Sequence, residues 1–235
     1  MHAAQKAAGD SFKLSFDYFG RSSAPSNHAL TQHFAHVLEE NGLLEERTSQ
    51  QVFSNADGRF LPDRYVEGTC PNCGFEKARG DQCDGCGKLL DPIDLIDPYS
   101  VISGAKPIEK KAVHYFFALD HYQAFLATWL REGHVSNPVA NKLQEWLDEG
   151  LKAWDISRDA PYFGFLIPGE SNKYFYVWLD APIGYMAGLE HYFQDNPGHL
   201  DDVFAKESTI ELHHFIGKDI INFHALFWPA LLKSA

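Results

Sequence analysis

The chain has 235 residues, 45% of them hydrophobic and 14% aromatic, which is enough apolar material to bury one large or two modest cores. That balance excludes a disordered chain, and the formal charge of -12 argues against a basic stripe that grips phosphates by releasing counterions. The first residues carry no apolar stretch of signal-peptide length and no run reaches about 18 uncharged apolar residues, so a soluble cytoplasmic protein with no membrane span is expected.

In chain order, Ser26 is placed to cap a helix over 27–40 whose apolar face is Leu30, Phe34, Val37 and Leu38, with Asn41-Gly42 as its stop. From 43 to 70 the apolar pieces are short and broken by Asn55, Asp57-Gly58 and Pro62, a pattern of irregular ribbon that opens a small inserted subdomain. Strands are expected over 101–104 and 112–119, where apolar residues alternate. Two helices follow. One starts after Asp120, carries Tyr122, Phe125, Leu126, Trp129 and Leu130 on one face, and ends at Gly133; the other is opened by Asn137-Pro138 and ended by Gly150. Beyond Trp154 the texture becomes that of an α/β sheet. A strand over 174–179 precedes a helix that Pro182 can open, a second strand spans 210–216, and Gly217-Lys218-Asp219 turns the chain into a helix over 220–232. Ligands of open α/β sheets sit at such strand ends.

All four cysteines fall in two Cys-x-x-Cys pairs, Cys70-Pro71-Asn72-Cys73 and Cys83-Asp84-Gly85-Cys86. Two tight turns can close four thiolates into a tetrahedron with bonds of about 2.3 Å, and Gly74, Gly85 and Gly87 allow the backbone angles such turns need. Free or redox-active thiols are the alternative. Cytosolic four-thiolate structural sites favour zinc, while spacing alone leaves iron open. With four protein ligands no position is left for a reacting water, so the expected metal is structural.

Three phrases carry a resemblance: Trp154-Asp155-Ile156-Ser157-Arg158-Asp159, Tyr176-Val177-Trp178-Leu179-Asp180-Ala181-Pro182-Ile183-Gly184-Tyr185, and His214-Phe215-Ile216-Gly217-Lys218-Asp219-Ile220-Ile221-Asn222-Phe223-His224. Joined to Phe60-Leu61-Pro62-Asp63-Arg64, the cysteine pairs and Asn141-Lys142-Leu143-Gln144-Glu145-Trp146, they make the chain resemble methionyl-tRNA synthetases, of the class I aminoacyl-tRNA synthetases, over most of its length. The resemblance implies an α/β fold: a partial doubly wound, Rossmann-type catalytic domain interrupted by a zinc-bearing connective-peptide insertion. Residues 1–41 would end the first half of that domain, 42–154 would form the insertion with its knuckle at 70–86, and 155–235 would start the second half. The family's His-Ile-Gly-His and Lys-Met-Ser-Lys-Ser signatures are not found in this sequence and would lie outside its ends. Those motifs stabilise phosphate charge during ATP chemistry, so the isolated chain is expected not to activate methionine alone.

The resemblance also assigns roles. A mostly apolar methionine pocket falls to Trp178, Ala181, Pro182, Tyr185, Ile220 and His224, with Trp228 as support, and the methionine carboxylate falls to Arg158. Plain alternatives stand beside each role: core aromatics for Trp178 and Tyr185, a satisfied core histidine for His224, helix-to-sheet packing for Trp228, and a local salt bridge with Asp155 or Asp159 for Arg158. Gly217 and Asp219 resemble the adenosine-binding turn, the glycine for close approach and the carboxylate for ribose hydroxyls, although Asp219 could equally be a helix N-cap. Leu166 departs from the family pattern, where a glutamate that helps hold the ribose commonly stands. The implied function is methionine–tRNA ligase, with methionine, ATP with Mg2+, and tRNA as partners of the complete enzyme and one structural Zn2+. The rival is a non-catalytic zinc-ribbon scaffold for RNA or another protein.

Overall fold

The structure, a computed structural model, describes residues 1–80, 83–88 and 90–235. Residues 81 and 82 of the expected knuckle lie outside the described residues. The elements are α1 (His2–Ser11), α2 (Pro25–Glu40), β1 (Leu44–Ser54), β2 (Arg59–Phe60), β3 (Val66–Thr69), β4 (Ala78–Arg79), β5 (Ile96–Ser100) and β6 (Ile108–Phe117). They continue as α3 (Gln123–Trp129), α4 (Asn137–Glu149), β7 (Trp154–Asp155), β8 (Ser157–Asp159), β9 (Lys173–Phe175), α5 (Val177–Asp195), α6 (Leu200–Phe204) and α7 (Trp228–Ser234). A four-stranded sheet runs β2-β1-β6-β7, a three-stranded one β4-β3-β5, and β8 pairs with β9.

The fold is mixed α/β, as expected, but every strand pair among the described residues is antiparallel. The parallel pairing of a doubly wound sheet is not seen, because the two segments expected to supply its strands do otherwise. Residues 210–216 are extended, mostly exposed and in no described ladder. The strand expected over 174–179 stops at Phe175, and Val177 already opens α5. The spacing of Leu179, Ile183 and Ala187 buries one face of α5, which packs against α2, and this tertiary contact overrides the strand preference of Tyr176, Val177 and Trp178. Pro182 therefore lies inside the helix instead of opening it. Its missing N–H leaves the Trp178 carbonyl without the usual helical donor.

Other expectations shift for local reasons. Pro25, at the first helical position after the extended Ala24, opens α2 in place of a Ser26 cap, since its fixed φ suits that position. The ribbon expected from 43 to 70 contains an eleven-residue strand, β1, in register with β6 from Leu44 opposite Phe117 to Phe53 opposite Ile108. The strand expected over 101–104 is a turn after β5, held by Ser100 and Ser103 hydroxyls on Asp57 at 2.7 and 3.0 Å. Of the strand expected over 112–119, residues 112–117 form the end of β6, and Leu119 already opens a 3-10 turn. The helix after Asp120 is short, a 3-10 turn from Leu119 to Tyr122 followed by α3. Gly150, at φ 81, ends α4 as expected.

Two separate cores result. The larger joins Phe34 and Leu38 of α2, Phe117 of β6, Leu143 and Leu147 of α4, Leu179 and Ile183 of α5 and Leu226 to Leu231 near the C-terminus. The smaller comprises Val52, Leu61, Val66, Cys70, Ala78, Cys83 and Leu95. No helix among the described residues is long and apolar enough to cross a membrane.

Candidate functional site

Each Cys-x-x-Cys pair forms a tight turn. The Gly74 amide donates to the Cys70 carbonyl at 3.0 Å and the Gly87 amide to the Cys83 carbonyl at 2.7 Å, with both glycines at positive φ, 75 and 72. The four Sγ atoms lie within 4.8 Å of one another. A tetrahedron with metal–sulfur bonds of about 2.3 Å has edges just under 4 Å, so the thiols fit one such ion with a small contraction. The backbone amide of Lys88, and then the Asn72 side-chain amide, bring the Cys86 thiol down to about 6, whereas Cys73, despite the Phe75 amide, is pushed up to about 12 by burial and the thiols around it. One of the four is thus a ready thiolate, and an ion would have to displace the proton of another.

The C-terminal helical run starts with a 3-10 turn, Lys218–Ile220, widens to a π-helical segment, Phe223–Phe227, and narrows to α7. Such π segments recur at functional sites because they re-aim side chains. Here the segment carries His224, 6% exposed, toward α5. His224 Nδ1 lies 2.9 Å from the Ile220 carbonyl, which can only accept, so Nδ1 carries the proton. In the neutral ring Nε2 is then an acceptor, and the Tyr185 hydroxyl donates to it at 2.7 Å. Trp178 meets the imidazole edge-on at 6.0 Å, Trp228 meets Tyr185 at 6.5 Å, and Phe223 stacks on Trp178 at 4.4 Å. Burial, and then the neighbouring His224, lowers the pKa of His214, whose ring is 4.9 Å from Tyr185. Burial also raises the pKa of Asp180, one turn into α5, to about 7, and leaves its Oδ1 without a hydrogen-bond partner.

Arg158, on β8, lines a different cleft. This cavity of about 950 Å³ has Asp63, His114, Asp155, Tyr176 and Phe223 among its walls. The guanidinium lies 4.0 Å above the Tyr176 ring and donates through Nη1 to the Ser157 carbonyl at 2.6 Å. Asp155 at 3.6 Å and Asp63 at 3.8 Å neutralise it without reaching hydrogen-bond length. His224 and Trp228 face a second cleft of about 1080 Å³, lined also by Phe34, Met186 and His214.

The description tRNA synthetases class I (M) matches residues 1–235. The chain belongs to the class I tRNA synthetase family. Among solved structures it is similar to Mycobacterium tuberculosis methionyl-tRNA synthetase in complex with methionyl-adenylate, at 23% identity and a TM-score of 0.65, covering 99% of this chain and 40% of that one. The apo form of that enzyme gives 23% identity, a TM-score of 0.62, and coverage of 99% and 41%. At this identity the likeness is one of fold, and the chain spans about 40% of the length of those structures.

In this synthetase chain, Trp178, Tyr185, Ile220, His224 and Trp228 come together, and Pro182 is buried beside Ala181 on the same helix. Among the described residues Arg158 is joined to them through the Tyr176 ring, which is tilted against Phe223, and through Phe223, which stacks on Trp178. Asp219 is exposed and caps nothing, since Gly217 occupies the N-cap position. A Cβ at Gly217 would meet nothing within 4 Å, so the backbone there is open to a ligand. Leu166 is exposed, and its carbonyl accepts from Gln32 at 2.8 Å. Sequence reasoning missed Phe223, Asp180 and His114. Only Phe223 had a signal, its spacing of four from Phe227 on one helix face.

Proposed function

We propose that this chain is the methionine-side portion of a methionine–tRNA ligase, with residues 1–41 and 155–235 belonging to the catalytic domain and 42–154 to its inserted lobe. The observation that carries this reading is His224, fixed by Ile220 on one nitrogen and Tyr185 on the other, against the Trp178 indole. An aromatic wall suits a thioether, whose sulfur gains about 0.3–1.5 kcal/mol per ring contact.

In the complete enzyme the reaction is formation of methionyl-adenylate and then transfer to tRNA. Bound magnesium supplies charge neutralisation on the ATP phosphates. The part that falls to this chain is binding and orientation: Trp178, Ala181, Pro182, Tyr185, Ile220, His224 and Trp228 hold the side chain, and Arg158, in the neighbouring cleft beyond the Phe223 and Tyr176 rings, takes the carboxylate of a ligand that reaches across them. Gly217 and Asp219 take the adenosine side. Cys70, Cys73, Cys83 and Cys86 hold one structural zinc. We place the protein in the cytoplasm, where thiols stay reduced for metal binding.

Tryptophan fluorescence of the chain titrated with methionine and norleucine tests the reading. Saturable quenching that favours methionine and is lost in both His224→Ala and Trp178→Ala is expected. Quenching that survives in both variants refutes these assignments, and no response to either ligand turns the balance to the zinc-ribbon scaffold.

A further inference from the structure

His114 is the most enclosed ionisable side chain facing the Arg158 cleft, 3% exposed, yet it touches neither the aromatic wall nor the knuckle. It projects from β6 between two carboxylates: Nδ1 is 2.6 Å from Asp155 Oδ2 and Nε2 is 3.1 Å from Asp159 Oδ2. Carboxylates only accept, so both contacts are hydrogen bonds when the ring is an imidazolium. The remaining oxygens are also engaged. Asp155 Oδ1 accepts from the Ser157 amide at 3.0 Å and hydroxyl at 3.1 Å, and Asp159 Oδ1 from Lys173 Nζ at 2.5 Å. Across β1, Arg47 stands opposite His114 in register and is paired with Glu45. Asp63, the first residue of the 3-10 turn Asp63–Tyr65, faces Arg158.

Asp155 is thus held on both oxygens by groups other than Arg158, and this keeps the guanidinium 3.6 Å away with one hydrogen bond, to Ser157. We propose that His114 is a positioning residue for Arg158: as an imidazolium it restrains Asp155, so that Arg158 keeps donors for the carboxylate of an amino-acid ligand. A neutral His114 has one donor for two partly buried carboxylates, and with that proton on Nε2 it serves Asp159 while Asp155 goes without. The deprived Asp155, 3.6 Å from the guanidinium, then draws Arg158 into a close ion pair, and the donors are lost to the ligand. Burial works against charging His114, but the two carboxylate hydrogen bonds outweigh it and its pKa lies above the ordinary histidine value. The imidazolium state therefore persists to higher pH than in an ordinary histidine and is lost as pH rises past that raised pKa.

The inference rests on the reading of Arg158 as the carboxylate partner, and the test separates the two. The Arg158 Nε–H and His114 ring resonances of the full chain are followed by NMR across pH, while fluorescence compares methionine with methioninol, which lacks the carboxylate. Expected is an Arg158 shift with the same midpoint as His114, and a fall of about tenfold in the preference for methionine over methioninol above it, the loss of one charge-assisted hydrogen bond. In Asp155→Asn, which removes the restrained charge and keeps its shape, the Arg158 inflection disappears; His114→Gln gives the same result wherever it folds. An Arg158 resonance that stays flat while His114 titrates, or keeps its inflection in Asp155→Asn, overturns the positioning role. A coupled Arg158 resonance with equal affinity for methionine and methioninol, or none for either, overturns the carboxylate reading instead.

Discussion

The lobe around the cysteine knuckle buries Val52, Leu61, Val66, Ala78 and Leu95 together with Cys70 and Cys83, so two members of its small core are thiols of the four-cysteine cluster. The main body buries Phe34, Phe117, Phe175, Leu179, Ile183, Leu226 and Trp228, side chains that bind no metal and interlock by shape. A core as small as the lobe's offsets little of the entropy of ordering its long polar loops. The contrast teaches that the two regions fail under different insults: the lobe when its ligands are stripped, the body when its packing or its few buried polar groups are disturbed.

Stripping the proposed zinc is the largest perturbation. Binding of one zinc to four thiolates is worth on the order of 10 kcal/mol near pH 7, and in a lobe this small that energy is folding energy. Chelation, or Cys70→Ser with Cys83→Ser, should abolish exchange protection of the Gly74 and Gly87 amides and leave that of residues 225–231 near its original level. Hydrogen exchange read by NMR makes the comparison. Simultaneous loss of protection in both places would mean one cooperative unit, and the contrast would dissolve.

The same contrast decides what was legible in the sequence. Cysteine spacing is local chemistry, and it located the sulfur cluster to the residue. Helix α4 was equally plain, because Asn137-Pro138 and Gly150 punctuate both ends. Strand β1 was not, since Glu45, Glu46, Arg47, Thr48 and Gln50 show no apolar alternation and the strand exists through its long pairing with β6. In the body, the phrases around Trp178 and His224 pointed to side chains that do meet in space, while Arg158 opens into another cleft. Nothing near His114 or Asp180 in sequence reveals burial. Their environment is assembled from strands and helices far apart in the chain, such as Asn27, whose amide donates to the Asp180 carbonyl at 3.0 Å.

Asp180 sharpens the body's side of the comparison with a smaller effect. Its carboxyl titrates near 7 in the folded chain, against about 3.9 in an unfolded one, because burial penalises the charge. Between those values only the folded state holds the proton, so its contribution to stability is full below about pH 4 and is lost as pH rises toward 7. Asp180→Asn removes the titration. At pH 8 the variant should be more stable than the parent by on the order of a few kcal/mol, and the two urea midpoints should converge near pH 4. An unchanged pH dependence would show that the body tolerates this charge, and that packing alone governs it.

The smallest effect belongs to Tyr185, and it asks whether the body's aromatic wall recognises shape or polarity. Tyr185→Phe keeps the ring but removes the hydroxyl that donates to His224 Nε2. Because Tyr185 is 42% exposed, the loss should alter stability little, but it frees the His224 imidazole from its fixed place in the wall and costs binding about 1 kcal/mol. The hydroxyl's one proton is committed to His224, so it offers a thioether sulfur no donor, and norleucine, with a methylene in place of that sulfur, meets the same loosened wall. Both affinities should therefore fall about fivefold, read by the same fluorescence titration. A loss confined to methionine would show that polarity takes part in recognition beside shape.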